Sequence, residues 1–206
     1  MKILCPYNGI LIRRYLNSVY KEIFRKSIHL CTAFIPLLLK HFYWVIEILL
    51  MLAVLGFSLS EIFRLNGIDV PLVSDITKVA ARKRDEGKFV LGPVTLVLGI
   101  VASSLIFPPE AYTIGIMSLA FGDGLASLCG KLFGRVHIPF TEGKTVAGSL
   151  SCFFAIFCCS FAICRSVYAS LLIALLGMII EVFPLHDLDN FLIPLGIGYV
   201  AKILLC

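Results

Sequence analysis

The stretch SLAFGDGLASLCGKLFG, residues 118–134, carries an aspartate between two glycines inside an otherwise apolar run. Whether it is a membrane helix decides the fold, and composition settles that. Of 206 residues, 59% are hydrophobic and only 15% charged, with a mean hydropathy of +0.97. A soluble domain of this size carries about 25% charged residues. Too little polar side chain is left to cover a globule, so lipid must be part of the solvent. The sequence therefore predicts an all-α polytopic membrane protein, with Asp123 inside one of its helices.

A helix crossing a bilayer needs about 20 mostly apolar residues. Such runs lie near 27–40, 42–63, 89–107, 111–129, 146–164, 166–183 and 190–205, about seven spans. The first is short before Lys40, so its helix is expected to begin earlier, around Asn17. Breaks at Pro36, Gly92-Pro93 and Pro194 are tolerable where neighbouring helices re-satisfy the backbone. With the N-terminus inside, fifteen of the eighteen basic residues fall on inner segments, leaving Lys40, Arg165 and Lys202 outside. That bias is what the positive-inside rule requires, and it predicts an N-in, C-out topology. Residues 1–26 are expected to form an N-terminal cytoplasmic or interfacial segment, and 27–206 the transmembrane domain. No cleavable leader is expected, because the first 26 residues lack a small-residue cleavage site after an apolar core. The eight cysteines show no CxxC or Cys/His spacing, so neither a disulfide framework nor a thiolate metal site is expected.

The inner connection 64–88 carries Val70, Val73, Ile76 and Val79 at helical spacing, with Lys78, Arg82, Lys83 and Arg84 mostly elsewhere. It reads as an amphipathic helix, capped at Asp69 and ending at Gly87, resting on anionic headgroups of the cytoplasmic leaflet.

The remaining polar residues converge on that same face. His29, Glu61, Asp123, Lys131, Lys144, Thr145, Ser149, Glu181, Asp189 and Asn190 all fall at inner helix ends or inner loops. Ionisable groups within spans mark function by default, so a cytoplasmic-side site is expected. In the opening stretch Asp123, Ala126, Gly130 and Gly134 share one helical stripe, being 3, 7 and 11 residues apart. Small residues at this spacing let membrane helices pack closely. With an acid at its head and Lys131 alongside, the stripe could equally admit phosphates and Mg²⁺, an ion that takes carboxylate oxygen.

EGKTVAGS, 142–149, is no P-loop, because the first glycine of that motif would fall at Ile138. It leaves Lys144 and Thr145 at a helix start, either as an anion site or as an anchor and cap. In EVFPLHDLDNFLIP, 181–194, Asp189 and Asn190 could cap the last helix, supply a second carboxylate to a metal, or provide a general base.

Taken together, DGLASLCGKLFG, the following Lys-Thr and Gly-Ser, the RKSIH of 25–29, and Glu181 with Asp189-Asn190 and Pro194 resemble the dolichol kinase, phytol kinase and CTP-dependent diacylglycerol kinase superfamily in its compact, bacterial-type form. The likeness runs from about residue 21 to 195. It implies transfer of the γ-phosphate of CTP to the hydroxyl of a membrane lipid alcohol, at the cytoplasmic face of a bacterial inner membrane. It assigns catalysis to Asp123, Lys144, Asp189 and His29, and Mg²⁺ to Asp123 and Asp189. The nucleotide would be lined by Gly122, Gly124, Ala126, Gly130, Lys131, Gly134, Thr145, Gly148, Ser149, Arg25 and Lys26, with Glu61, Glu181 and Asn190 in support. CTP, the alcohol and anionic lipids are the expected partners, with no nucleic acid; the small-residue stripe could also serve a homodimer. Two other readings compete: a CDP-lipid synthase attacking the α-phosphate of CTP, and a small transporter.

Overall fold

The computed structural model describes residues 6–71, 87–141, 143–183 and 186–205, with Val73, Thr77 and Asp85 besides. The amphipathic helix expected over 69–87 lies largely outside the described residues. Among those described the chain is helical, without a strand; an isolated bridge joins His137 to Thr145. The helices are α1 (Pro6–Cys31), α2 (Ile35–Leu65), α3 (Gly92–Ile106), α4 (Pro109–Met117), α5 (Gly124–Phe133), α6 (Val146–Cys164), α7 (Val167–Val182) and α8 (Asp189–Leu205). A short 3₁₀ turn at Thr32–Phe34 joins α1 to α2, and a π-helical turn at Ser118–Asp123 joins α4 to α5.

Among the described residues, three helical runs are long and apolar enough to cross a membrane: Leu16–Leu65, Pro109–Phe133 and Val146–Cys164. Gly92–Ile106 and Val167–Val182 are shorter apolar helices. The first run is 50 residues long and leaves helical geometry at Phe42, where the sequence divides 27–40 from 42–63. Along α2 the outward side chains Trp44, Ile48, Leu52, Leu55 and Leu59 are more than half exposed. An apolar surface this continuous is what lipid covers.

The core is built where α4 and α8 meet and where α6 packs on α7. Its fully buried side chains include Ile114, Ile116, Leu119, Ile156, Ile173, Ile193 and Ile197. Small residues set the closest approaches. A methyl group on Gly115 of α4 would stand 2.4 Å from the Pro194 carbonyl oxygen of α8, a spacing only glycine allows. Proline inside α8 removes one backbone donor, and the neighbouring helices fill in around it, with Ser103 Oγ donating to the Pro194 carbonyl at 3.3 Å.

The connection 134–145 is a small hairpin. The Ile138 amide donates to the Lys144 carbonyl at 2.9 Å, and the Val146 amide to Val136 at 3.0 Å. Gly143 turns it with a φ of +81°. This loop holds Lys144 at the start of α6.

Candidate functional site

Asp123 ends the π-helical turn and is buried, 2% exposed. Single π-turns inside α-helices recur at functional sites because the extra residue re-aims one side chain. The flanking glycines let two helices close in on the acid. A methyl at Gly122 would lie 2.9 Å from Ile156 of α6, and one at Gly124 would lie 3.3 Å from Leu30 of α1. The FGDG sequence is thus the packing condition for a buried carboxylate.

Its partners come from α1. Lys26 Nζ donates to Asp123 Oδ2, and His29 Nδ1 stands 3.2 Å from the same oxygen. Lys26 and His29 are three residues apart, so α1 presents both on one face, and both are buried. An isolated buried carboxylate would be prohibitive; paired with an ammonium and an imidazole it is held in place. The sequence assigns Asp123 to a metal and Lys26 to the nucleotide. In this structure the counter-charge of Asp123 is Lys26 itself.

A second pair lies beside the first. Lys144 Nζ donates to Glu181 Oε1 of α7, and Ser149 Oγ reaches Glu181 Oε2 at 3.5 Å. Burial works against the Lys144 charge, but the carboxylate of Glu181, with Asp123 and Asp189 further off, outweighs it and raises the lysine above its ordinary value. The Lys144 side chain remains 26% exposed, against 2% for Lys26.

The small-residue stripe packs against the start of α6. Thr145 caps α6 by accepting the Gly148 amide at 3.2 Å. A methyl on Gly130 would stand 2.9 Å from Thr145 Oγ1, and one on Gly134 would stand 2.5 Å from the same atom. Gly148 sits against the Ala126 carbonyl oxygen, 2.7 Å from where its own methyl would be. The residues assigned to a nucleotide are therefore gathered, and here they hold two helices together.

Other expected residues take up joints. Lys131 Nζ donates to the Ser18 carbonyl at 2.6 Å, tying α5 to α1. Arg25 pairs with Glu22 at 2.6 Å. Glu61 accepts from Arg64 at 2.8 and 2.6 Å and from the Val90 amide at 2.8 Å, clamping the end of α2 to the approach to α3. Asp189 Oδ1 accepts the Asn190 amide at 2.9 Å, and Asn190 Nδ2 reaches the Gly92 carbonyl at 3.3 Å.

A cleft of about 700 Å³, its open mouth counted, lies between α1, α2, the start of α3 and the turn before α8. Its polar lining is Arg25, Lys26, His29, Thr77, Asp85, Asp187 and Asn190; Ile28, Phe57, Val90, Gly92, Pro93 and Leu96 complete it. The π-turn and this cleft escape a reading of the sequence. The Arg-Lys-x-x-His spacing does carry a signal, since it puts a lysine and a histidine on one helical face.

Among the described residues no three His, Cys, Asp or Glu side chains gather around one point. Mg²⁺ nevertheless needs only one or two carboxylates when it keeps water and phosphate as its other ligands. Asp123, whose Oδ1 lies outside the contacts to Lys26 and His29, suits an ion that arrives with a nucleotide.

These features define a helical membrane protein with a buried carboxylate–lysine–histidine centre opening on a mixed polar and apolar cleft. The chain is 30% identical over 152 residues to a chloroplastic phytol kinase of Arabidopsis thaliana, covering 64% of this chain and 49% of that protein. It is 32% identical over 76 residues to a chloroplastic farnesol kinase of the same plant, covering 35% and 24%. An uncharacterised protein of Methanocaldococcus jannaschii is 29% identical over 191 residues, covering 88% and 93%. No family model matches the chain, and no solved structure does. Its curated homologues are phytol and farnesol kinases, which supports the superfamily resemblance carried by the motifs. The chain spans about half the length of the curated phytol kinase it matches.

Proposed function

We propose that the chain is a CTP-dependent kinase of membrane lipid alcohols, working at the cytoplasmic face of a seven-span, N-in bundle. The observation that carries this reading is the Asp123–Lys26–His29 cluster beside a mixed polar and apolar cleft. The names of the relatives favour an isoprenoid alcohol as acceptor.

Phosphoryl transfer asks chiefly for positioning and charge neutralisation. Lys144, at the helix start where backbone amides favour anions, meets the phosphates. Asp123 would supply the protein oxygen for a Mg²⁺ ion bound with the nucleotide, and that ion would neutralise charge on the phosphates. His29 turns Nδ1 to Asp123, which leaves Nε2 across the ring to take the proton of the alcohol. The alcohol oxygen bonds to the γ-phosphorus, the bond to the β-phosphate oxygen breaks, and CDP leaves. Asp189, occupied in ordering the first turn of α8, is the weaker candidate for the base. The basic connection 64–88 rests on anionic lipid.

The test uses purified protein in mixed micelles with a lipid-alcohol extract, Mg²⁺ and CTP labelled in the α- or γ-phosphate. Label from the γ position entering the lipid phase is the expected result. Entry of α-label with a lipid phosphate as acceptor would instead identify a CDP-lipid synthase. Solute accumulation in proteoliposomes without lipid modification would identify a transporter.

A further inference from the structure

We propose that the hairpin 134–145 lies in the headgroup layer of the membrane at the start of α6, with Phe140 inserted among the phospholipids. The proposal does not depend on the kinase reading; it concerns what holds the loop that carries Lys144.

Depth is the first argument. The helix α6 is long and apolar enough to cross a bilayer, and Val146, Leu150 and Phe154 recur along it on one exposed face. Val146 is the first residue of that helix, so the lipid-facing stripe starts at its first turn. The Val146 amide donates to the Val136 carbonyl at 3.0 Å, and a bridge joins His137 to Thr145. The hairpin therefore leaves α6 at the depth where the apolar stripe begins. On its other side α5 ends in Leu132 and Phe133, both more than half exposed. With Val136 and Phe140 these residues carry the lipid-facing surface past the ends of both helices.

The backbone is the second argument. Phe140 is wholly exposed and holds a φ of +61°. That region suits glycine or asparagine, and a bulky residue in it is an outlier. Such strain persists where the surroundings over-determine it. No residue of the chain covers the phenyl ring, so no internal contact offsets the strain. Phospholipid does, because an aromatic side chain gains by leaving water at the boundary of headgroups and acyl chains. Arg135, exposed at the base of the hairpin, suits the lipid phosphates at the same level.

The consequence falls on Lys144. The Ile138 amide donates to its carbonyl at 2.9 Å, so a hairpin anchored in lipid steadies the lysine above Glu181.

The experiment places the full chain carrying Trp44→Phe and Phe140→Trp in phospholipid nanodiscs and follows the fluorescence of the new indole. Trp44 is the sole tryptophan and is exposed on α2, and the ring at position 140 meets nothing in the chain, so neither change removes an internal contact. Expected are emission to the blue of a hydrated indole and resistance to acrylamide. Phospholipids brominated near the top of the acyl chain should quench it more than those brominated near the chain end. Free access to acrylamide without bromine quenching would overturn the proposal. Protection that appears only when CTP is added would give the ring to the nucleotide instead. Protection in detergent that rises with protein concentration would give it to a second copy of the chain; either result overturns the lipid occupant. In the same nanodiscs Phe140→Asp should speed hydrogen exchange at the Ile138 and Val146 amides, which close the hairpin. Exchange unchanged from the parent protein would show that lipid does not steady the loop.

Discussion

Two lysine–carboxylate pairs sit side by side in this bundle, and they differ in exposure. Lys26 and Asp123 have side chains 2% and 3% exposed, whereas Lys144 is 26% exposed over a Glu181 that is 3% exposed. The enclosed pair is almost wholly buried, Lys26 meeting only the cleft, so its lysine is a counter-ion whose loss leaves a bare charge in the interior. The open pair has its ammonium at the surface of the site, where an incoming phosphate can compete with Glu181. On the proposed reading the two lysines divide the work: Lys26 holds the acid, and Lys144 meets the substrate.

The largest effect should come from Asp123→Asn. It leaves Lys26 buried without its carboxylate, so stability should fall by about 3–5 kcal/mol, measured by thermal unfolding in detergent. Transfer should fall below detection. An unfolding midpoint equal to that of the parent protein would show that the pair does not hold the acid.

Lys144→Met should act mainly on the nucleotide. The expected result is a loss of about 100-fold in kcat/KM for CTP, roughly 2.7 kcal/mol of transition-state stabilisation. A fall confined to the KM for the alcohol would reverse the division between the two lysines.

The open pair also predicts a pH dependence. Glu181 raises Lys144, so the pair contributes its full stability below the ordinary lysine pKa of about 10.4 and loses it only as pH rises through the higher folded value. CTP binding followed from pH 7 to 11 should therefore show no loss from this lysine until above about pH 10. A midpoint near pH 8 would mean that Glu181 does not pair with Lys144.

Gly130→Ala should cost about 1–3 kcal/mol, because its methyl meets Thr145 Oγ1 at 2.9 Å. Thr145→Ala loses the cap, at about 1 kcal/mol. Since it also removes the clashing oxygen, the double variant should be more stable than the sum of the two losses. Additive losses would show that the stripe and the cap are not in contact. The smallest effect belongs to Lys131→Ala, which removes one hydrogen bond to the Ser18 carbonyl and should cost about 0.5–1.5 kcal/mol. Activity reduced more than tenfold would return Lys131 to the phosphates.

Much of the helix order was legible because hydropathy and Gly/Pro breaks act locally. The run 146–164 coincides with α6, and the division of 27–40 from 42–63 falls at Phe42. Asp123 stood out for the same reason, being an acid in an apolar run. What could not be read depends on contacts distant in the chain. Lys26 is 97 residues from Asp123, and nothing near either residue names the other. The stripe carried two meanings, because small residues serve a phosphate and a packed helix equally well. Only Thr145 and Gly148 standing against it show the contact it makes here. The π-turn requires a backbone shift that FGDG permits but does not demand.

On the proposed reading the buried cluster serves chemistry, while its pairing alone satisfies the fold. The most direct test of that reading is the double variant Lys26→Met/Asp123→Leu, assayed for γ-phosphate transfer and thermal unfolding together. Replacing both charges with apolar groups of similar volume should restore most of the stability lost in Asp123→Asn, while transfer stays undetectable. Transfer at a substantial fraction of the parent rate would contradict the account, because the cluster would then be a structural pair and the chemistry would lie elsewhere.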